Sequence, residues 1–126
     1  MNMQNPLAKV RGMGSSRSGV QHWGSLRYSA LLLLPLVAWL LWAGTTLAGA
    51  DYASAKSLMA HPFHAGMAVL LAGSLFYHIQ LGLQVVIEDY VHIHILEVTM
   101  LLTVRLACIA AFLISAIAAL KMALGA

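Results

Sequence analysis

Charge is what this chain lacks most. Only 9% of its 126 residues are Asp, Glu, Lys or Arg, while 61% are hydrophobic. A soluble domain carries about a quarter charged residues, so this composition cannot clothe a water-facing surface, and a membrane protein is the class that fits. Acids are scarcest: Asp51, Glu88, Asp89 and Glu97 are all there are. Cysteine is nearly absent. A single Cys108 supports neither a disulfide within the chain nor a thiolate metal site, and its place in an apolar run suits a small packing residue. No repeat of 20–50 residues is visible.

What is present is three long apolar blocks, near 25–49, 61–87 and 99–124. Each meets the need for about 20 apolar residues across a hydrocarbon core of about 30 Å. The expected fold class is therefore an all-α membrane protein with three transmembrane helices. It divides into a tail with an interfacial segment, 1–24, and a three-span anchor, 25–126. Two short connections leave no room for a soluble catalytic domain, so chemistry on a water-soluble substrate belongs to another subunit. Few glycines stand at close-packing spacing, so the three spans are expected to need an oligomer or a hydrophobic partner chain.

The net charge is +3, and its placement says more than its total. Lys9, Arg11, Arg17 and Arg27 precede or open the first span. The positive-inside rule then puts the N-terminus in the cytoplasm, with the turn from Glu88 to Glu97 on the same side. Topology already explains these basic residues, so no nucleic-acid partner is expected. The basic region and the apolar run are both too long for a signal peptide, and a retained cytoplasmic tail is expected instead of a mitochondrial transit peptide. Pro35 is tolerable inside the first span. The stretch 51–60 reads as an outer loop, and 91–98 as a half-polar segment along the surface. With the third span starting near Thr99, Arg105 would be roughly 9 Å deep at 1.5 Å per residue. That is within snorkelling reach of the headgroups.

Polar residues inside the membrane are expensive and mark function. The second span holds one such residue, His78. At 3.6 residues per turn, Met67, Leu71, Ser74, His78, Gly82, Val85 and Asp89 fall within about 40° of one line. Asp89 is about 16 Å along the axis from His78, at the span's end beside Tyr90. A neutral imidazole at this depth has one lone pair to give. An iron porphyrin uses it as an axial ligand, and Gly82 would leave room for the flat ring. A histidine hydrogen-bonded to a neighbouring helix fits the same pattern, and the residues alone leave both readings open. Asp89 and Tyr90 likewise read either as an interface anchor or as a carboxylate orienting a phenol that donates to a quinone carbonyl. Arg27 is a positive-inside anchor or a partner for Asp89 or a propionate. His22, beside Trp23, could reach a propionate or quinone. His61 and His64 lack a third metal ligand, and His92 and His94 read as solvated.

Taken together these residues resemble the smaller membrane-anchor subunit of succinate dehydrogenase (succinate:quinone oxidoreductase, respiratory complex II). The resemblance rests on Gly19 to Arg27 followed by Ala30, Pro35, Leu36 and Trp39, on Tyr77-His78, on Leu81-Gly82 and on Asp89-Tyr90-Val91. Its specific element is the spacing from His78 to Asp89-Tyr90. The resemblance implies a bundle with a second three-helix anchor subunit, larger and of cytochrome b type. His78 would be an axial ligand, through its imidazole a metal ligand, of a haem b shared with that subunit. Tyr90 would bind ubiquinone, Asp89 would support it, and Arg27 and His22 would lie at the propionates or the quinone. An iron–sulfur subunit and a flavoprotein subunit would dock on the cytoplasmic face of a bacterial inner membrane, and this chain alone would catalyse nothing. A fumarate reductase anchor, or a haem-free structural subunit of another respiratory complex, are the alternatives.

Overall fold

A computed structural model describes residues 17–125; the expectations for the tail before Arg17, including Lys9 and Arg11, lie outside the described residues. The described residues form four helices: α1 (Arg17–Leu47), α2 (Tyr52–Ala60), α3 (Pro62–Tyr90) and α4 (His94–Leu124). There is no strand among the described residues. Three segments, Gly19–Leu47, Pro62–Tyr90 and His94–Leu124, are long and apolar enough to cross a membrane. The all-α, three-span architecture expected from composition is the one that forms.

Hydrocarbon offers no hydrogen bonds, so every polar group in a span needs a partner within the protein. Several hydroxyls in these helices turn back on their own backbone. Ser25 donates to the Gln21 carbonyl at 2.9 Å, Thr103 to Thr99 at 2.8 Å and Ser115 to Ala111 at 2.8 Å. Pro35 is accommodated within α1 without ending it.

Two connections differ from the sequence expectation. The stretch read as an outer loop is the nine-residue helix α2. Asp51 starts it, its Oδ1 accepting from the Ser54 amide at 3.0 Å and the Ser54 hydroxyl at 2.7 Å. The reversal needed before that cap is supplied by Gly49 at φ +78°, a left-handed conformation that glycine adopts without steric penalty. His61 then ends α2 and caps α3, with Pro62 in the first turn. The second difference lies at 91–98, where α4 begins at His94 in place of a separate surface segment. Arg105 is therefore 11 residues into its helix (105 − 94), about 16 Å from its first residue at 1.5 Å per residue. It lines a cleft of about 260 Å³ with Gln80 and Gln84.

The middle span α3 packs against α1 on one side and α4 on the other, while α1 and α4 have no comparable contact. Helices α3 and α4 approach closely at Gly73, where an added Cβ would stand 3.3 Å from the Phe112 ring. Leu36, Ala43, Ala65, Leu81, Ile87 and Cys108 are the buried apolar residues, and no large side chain is wholly enclosed among the described residues. Most of the apolar surface, from Leu31 and Leu41 to Ile114 and Leu120, faces outward. A bilayer or a partner helix must cover it.

Candidate functional site

His78 sits in the middle of α3 and turns toward α1. Its Nδ1 is 2.9 Å from Ser29 Oγ, and Ser29 Oγ is also 2.9 Å from the Leu26 carbonyl oxygen of its own helix. Ser29 is only 6% exposed, so water does not compete for these bonds. The other ring nitrogen is uncommitted: Nε2 has no hydrogen-bond partner among the described residues and is not one of their buried polar atoms. One turn further, a Cβ on Gly82 would meet nothing within 4 Å. An open helix face thus lies beside an imidazole with a free nitrogen. These features fit a nitrogen ligand to a haem iron, and no cluster of three metal-ligating side chains occurs among the described residues.

Toward the Tyr90 end, α1 and α3 enclose a cleft of about 700 Å³ lined by His22, Trp23, Arg27, Gln84 and Glu88. The Arg27 guanidinium lies over the Trp23 ring, 4.0 Å from its centroid, a cation–π contact. Gln84 donates to Glu88 Oε1 at 2.8 Å, one helical turn apart. His22 Nε2 is buried with no hydrogen-bond partner among the described residues. A buried polar atom of this kind carries a desolvation penalty of about 1–3 kcal/mol until something pairs with it.

Of the residues singled out by sequence, the fold brings His22 and Arg27 into this cleft. Asp89 and Tyr90 stand at the end of α3 outside its lining, both exposed, with Tyr90 79% accessible. Neither makes a hydrogen bond or ion pair among the described residues, so Arg27 packs on Trp23 and not against Asp89. Three participants went unnoticed in the sequence. Ser29 gives no one-dimensional sign of pairing with a residue 49 positions away. Gln84 and Glu88 did carry a signal: two polar residues at i, i+4 spacing just before a span's end.

Three other histidines have partners elsewhere, and His92 is exposed. Trp39 Nε1 donates to His64 Nδ1 at 3.0 Å, and Trp39 and Trp42 both stack on the His64 ring. His61 serves as the cap between α2 and α3, its Nδ1 accepting from the Phe63 amide at 3.3 Å. His94 is exposed, 3.9 Å from Glu97.

Comparison with known proteins identifies the family. Residues 1–120 match the family described as succinate dehydrogenase/fumarate reductase transmembrane subunit. A protein of Rickettsia typhi, described as a succinate dehydrogenase hydrophobic membrane anchor subunit, is 31% identical over 103 residues, covering 82% of each chain. Its counterpart in Rickettsia felis, with the same description, is 32% identical over 110 residues, covering 85% of this chain and 92% of its own. No solved structure matches the chain. With three membrane-length helices and a family match that spans nearly its whole length, this chain belongs to the transmembrane subunits of the succinate dehydrogenase/fumarate reductase family.

Proposed function

We propose that this chain is the smaller membrane anchor of a succinate:quinone oxidoreductase, that it holds half of a haem b through His78, and that it forms part of the quinone-reduction site. The observation that carries the proposal is the uncommitted Nε2 of a mid-span histidine beside an open helix face. The relatives' descriptions favour succinate oxidation over fumarate reduction as the working direction. A second histidine, from the larger cytochrome b-type anchor, would complete the hold on the haem, and that subunit would also cover apolar surface that this chain leaves bare. Bound there, haem b supplies one-electron redox capacity within the membrane.

The residues of this chain do the rest. His22 and Arg27 line the cleft where a propionate would find a donor and a cation, satisfying the orphaned His22 Nε2. Tyr90, at the end of α3, offers its hydroxyl to a ubiquinone carbonyl, and Asp89 beside it takes part in delivering the two protons that quinone reduction consumes. Their exposure in the isolated chain suits a site completed by the iron–sulfur subunit, which would dock with the flavoprotein subunit on this, the cytoplasmic, face. The chain is not catalytic by itself.

A reduced-minus-oxidised spectrum of the complex with and without His78→Ala tests the reading. Loss or displacement of the b-type bands is expected. An unchanged spectrum excludes ligation by His78 and favours a purely structural subunit.

A further inference from the structure

We infer that Ser29 is a positioning residue that sets the tautomer of His78, keeping the proton on Nδ1 so that the lone pair stays on Nε2. The inference rests on the proposed ligation by His78 and goes beyond it by naming what prepares that histidine.

A serine hydroxyl has one hydrogen to donate and two lone pairs to accept with. Ser29 Oγ has two neighbours, the Leu26 carbonyl oxygen and His78 Nδ1, each at 2.9 Å. The carbonyl can only accept, so the hydroxyl hydrogen belongs to that contact. With the hydrogen so placed, Nδ1 can only be the donor. The reverse assignment would leave two oxygen lone pairs facing each other at 2.9 Å with no hydrogen between them. A neutral imidazole carrying its proton on Nδ1 has its lone pair on Nε2, the nitrogen without a partner. The burial of Ser29, and its position on a different helix from His78, make this a fixed tether between α1 and α3. An acceptor bonded to the outer N–H of a ligating histidine fixes ring orientation and raises ligand basicity, and losing it typically weakens metal affinity by about 10–100-fold.

The test is spectroscopic, on the full four-subunit complex. Ser29→Ala is expected to raise the haem midpoint potential, because a less basic imidazole stabilises ferric iron less than before. A tenfold fall in the ratio of ferric to ferrous affinity corresponds to about 59 mV for one electron. The low-temperature electron paramagnetic resonance g-values should shift with it. Ser29→Thr, which retains the hydroxyl, should restore both. Ser74→Ala removes an equally secluded hydroxyl one turn before His78 and should change neither. Should the alanine variant fail to assemble, Ser29→Cys keeps the shape with a weaker acceptor, and its potential and g-values decide. Wild-type values in Ser29→Ala or Ser29→Cys, while His78→Ala removes the b-type bands, overturn the inference and leave His78 as ligand. Bands that survive His78→Ala overturn the ligation itself.

Discussion

The two ends of the membrane domain are built on opposite terms. At the Asp51 end the polar groups find partners within the chain. Asp51 caps α2, His61 joins α2 to α3, Lys56 donates to the Gly125 carbonyl at 3.2 Å, and Trp39 closes on His64. From mid-span toward the Tyr90 end several do not, although Gln84 donates to Glu88. His22 Nε2, His78 Nε2, Asp89 and Tyr90 all lack a hydrogen-bond partner among the described residues, and Arg27 has an aromatic ring in place of an anion. The first end is finished by its own fold. The second is left for other molecules to complete.

The contrast is sharpest between two histidines on the same helix. Both accept or offer a hydrogen bond through Nδ1 to a residue of α1. The indole of Trp39 can only donate, so the Nδ1 lone pair of His64 is occupied and the proton of a neutral ring sits on Nε2. Around His78 the hydrogens run the other way if Ser29 donates to its own helix. Of the two, His78 alone presents a free lone pair on Nε2. The difference arises from the partner across the helix interface, not from the histidines.

The most severe way to break this comparison is to exchange the roles of the two sites. His78→Ala should abolish or displace the b-type spectrum, whereas His64→Ala should leave it as in the wild type, read from reduced-minus-oxidised spectra of the assembled complex. Equal effects at both positions would show that the two ends do not differ as argued. Next in size is a pair of glycines, each with open space where a Cβ would go. Gly82→Leu should lower haem content, because its side chain would fill the open face beside His78. Gly66→Leu, at the other end of α3, should retain it, as measured by haem per assembled complex.

A smaller effect is expected at Tyr90. Tyr90→Phe removes one hydrogen-bond donor, worth about 0.5–1.5 kcal/mol, so quinone-linked turnover should fall roughly two- to tenfold at 1.36 kcal/mol per decade. Succinate oxidation with an artificial acceptor upstream of the quinone should be unaltered. A preserved ratio of the two activities would return Tyr90 to a simple interface residue. At the finished end, Trp39→Phe deletes the bond to His64 and should cost about 1 kcal/mol of stability, seen as a lower thermal midpoint with an unchanged haem spectrum.

The smallest effect concerns the α2 cap. The Ser54 hydroxyl, and after it the Ser54 amide, hold the Asp51 carboxyl below its ordinary range. A lowered folded pKa means that this contribution is complete above the unfolded value and fades as pH falls through the folded one. Amide exchange at Ser54 should therefore quicken on acidification below that range and be insensitive to pH change near neutrality once intrinsic exchange is corrected. In Asp51→Ala the extra acid sensitivity should vanish.

Composition and periodicity determined the class of this protein. With so few charges, a chain of three apolar blocks of spanning length has only one solvent it can fold in, and in that solvent the backbone must satisfy itself as helix. Periodicity also placed His78 and Gly82 on one stripe, because helical phase is a local property that a sequence states directly. Local rules were less sufficient at the connections. The nine-residue α2 reads as a loop in the sequence, since small polar residues such as Ser54 and Ser57 suit either until a cap and a packing surface choose. Other facts were decided by tertiary structure alone: that Ser29 meets His78, that Trp39 meets His64, and that His22, Arg27, Gln84 and Glu88 share a cleft. Each depends on the axial register of α1 against α3. No single helix encodes that register, because it is set by how the surfaces of two helices interlock.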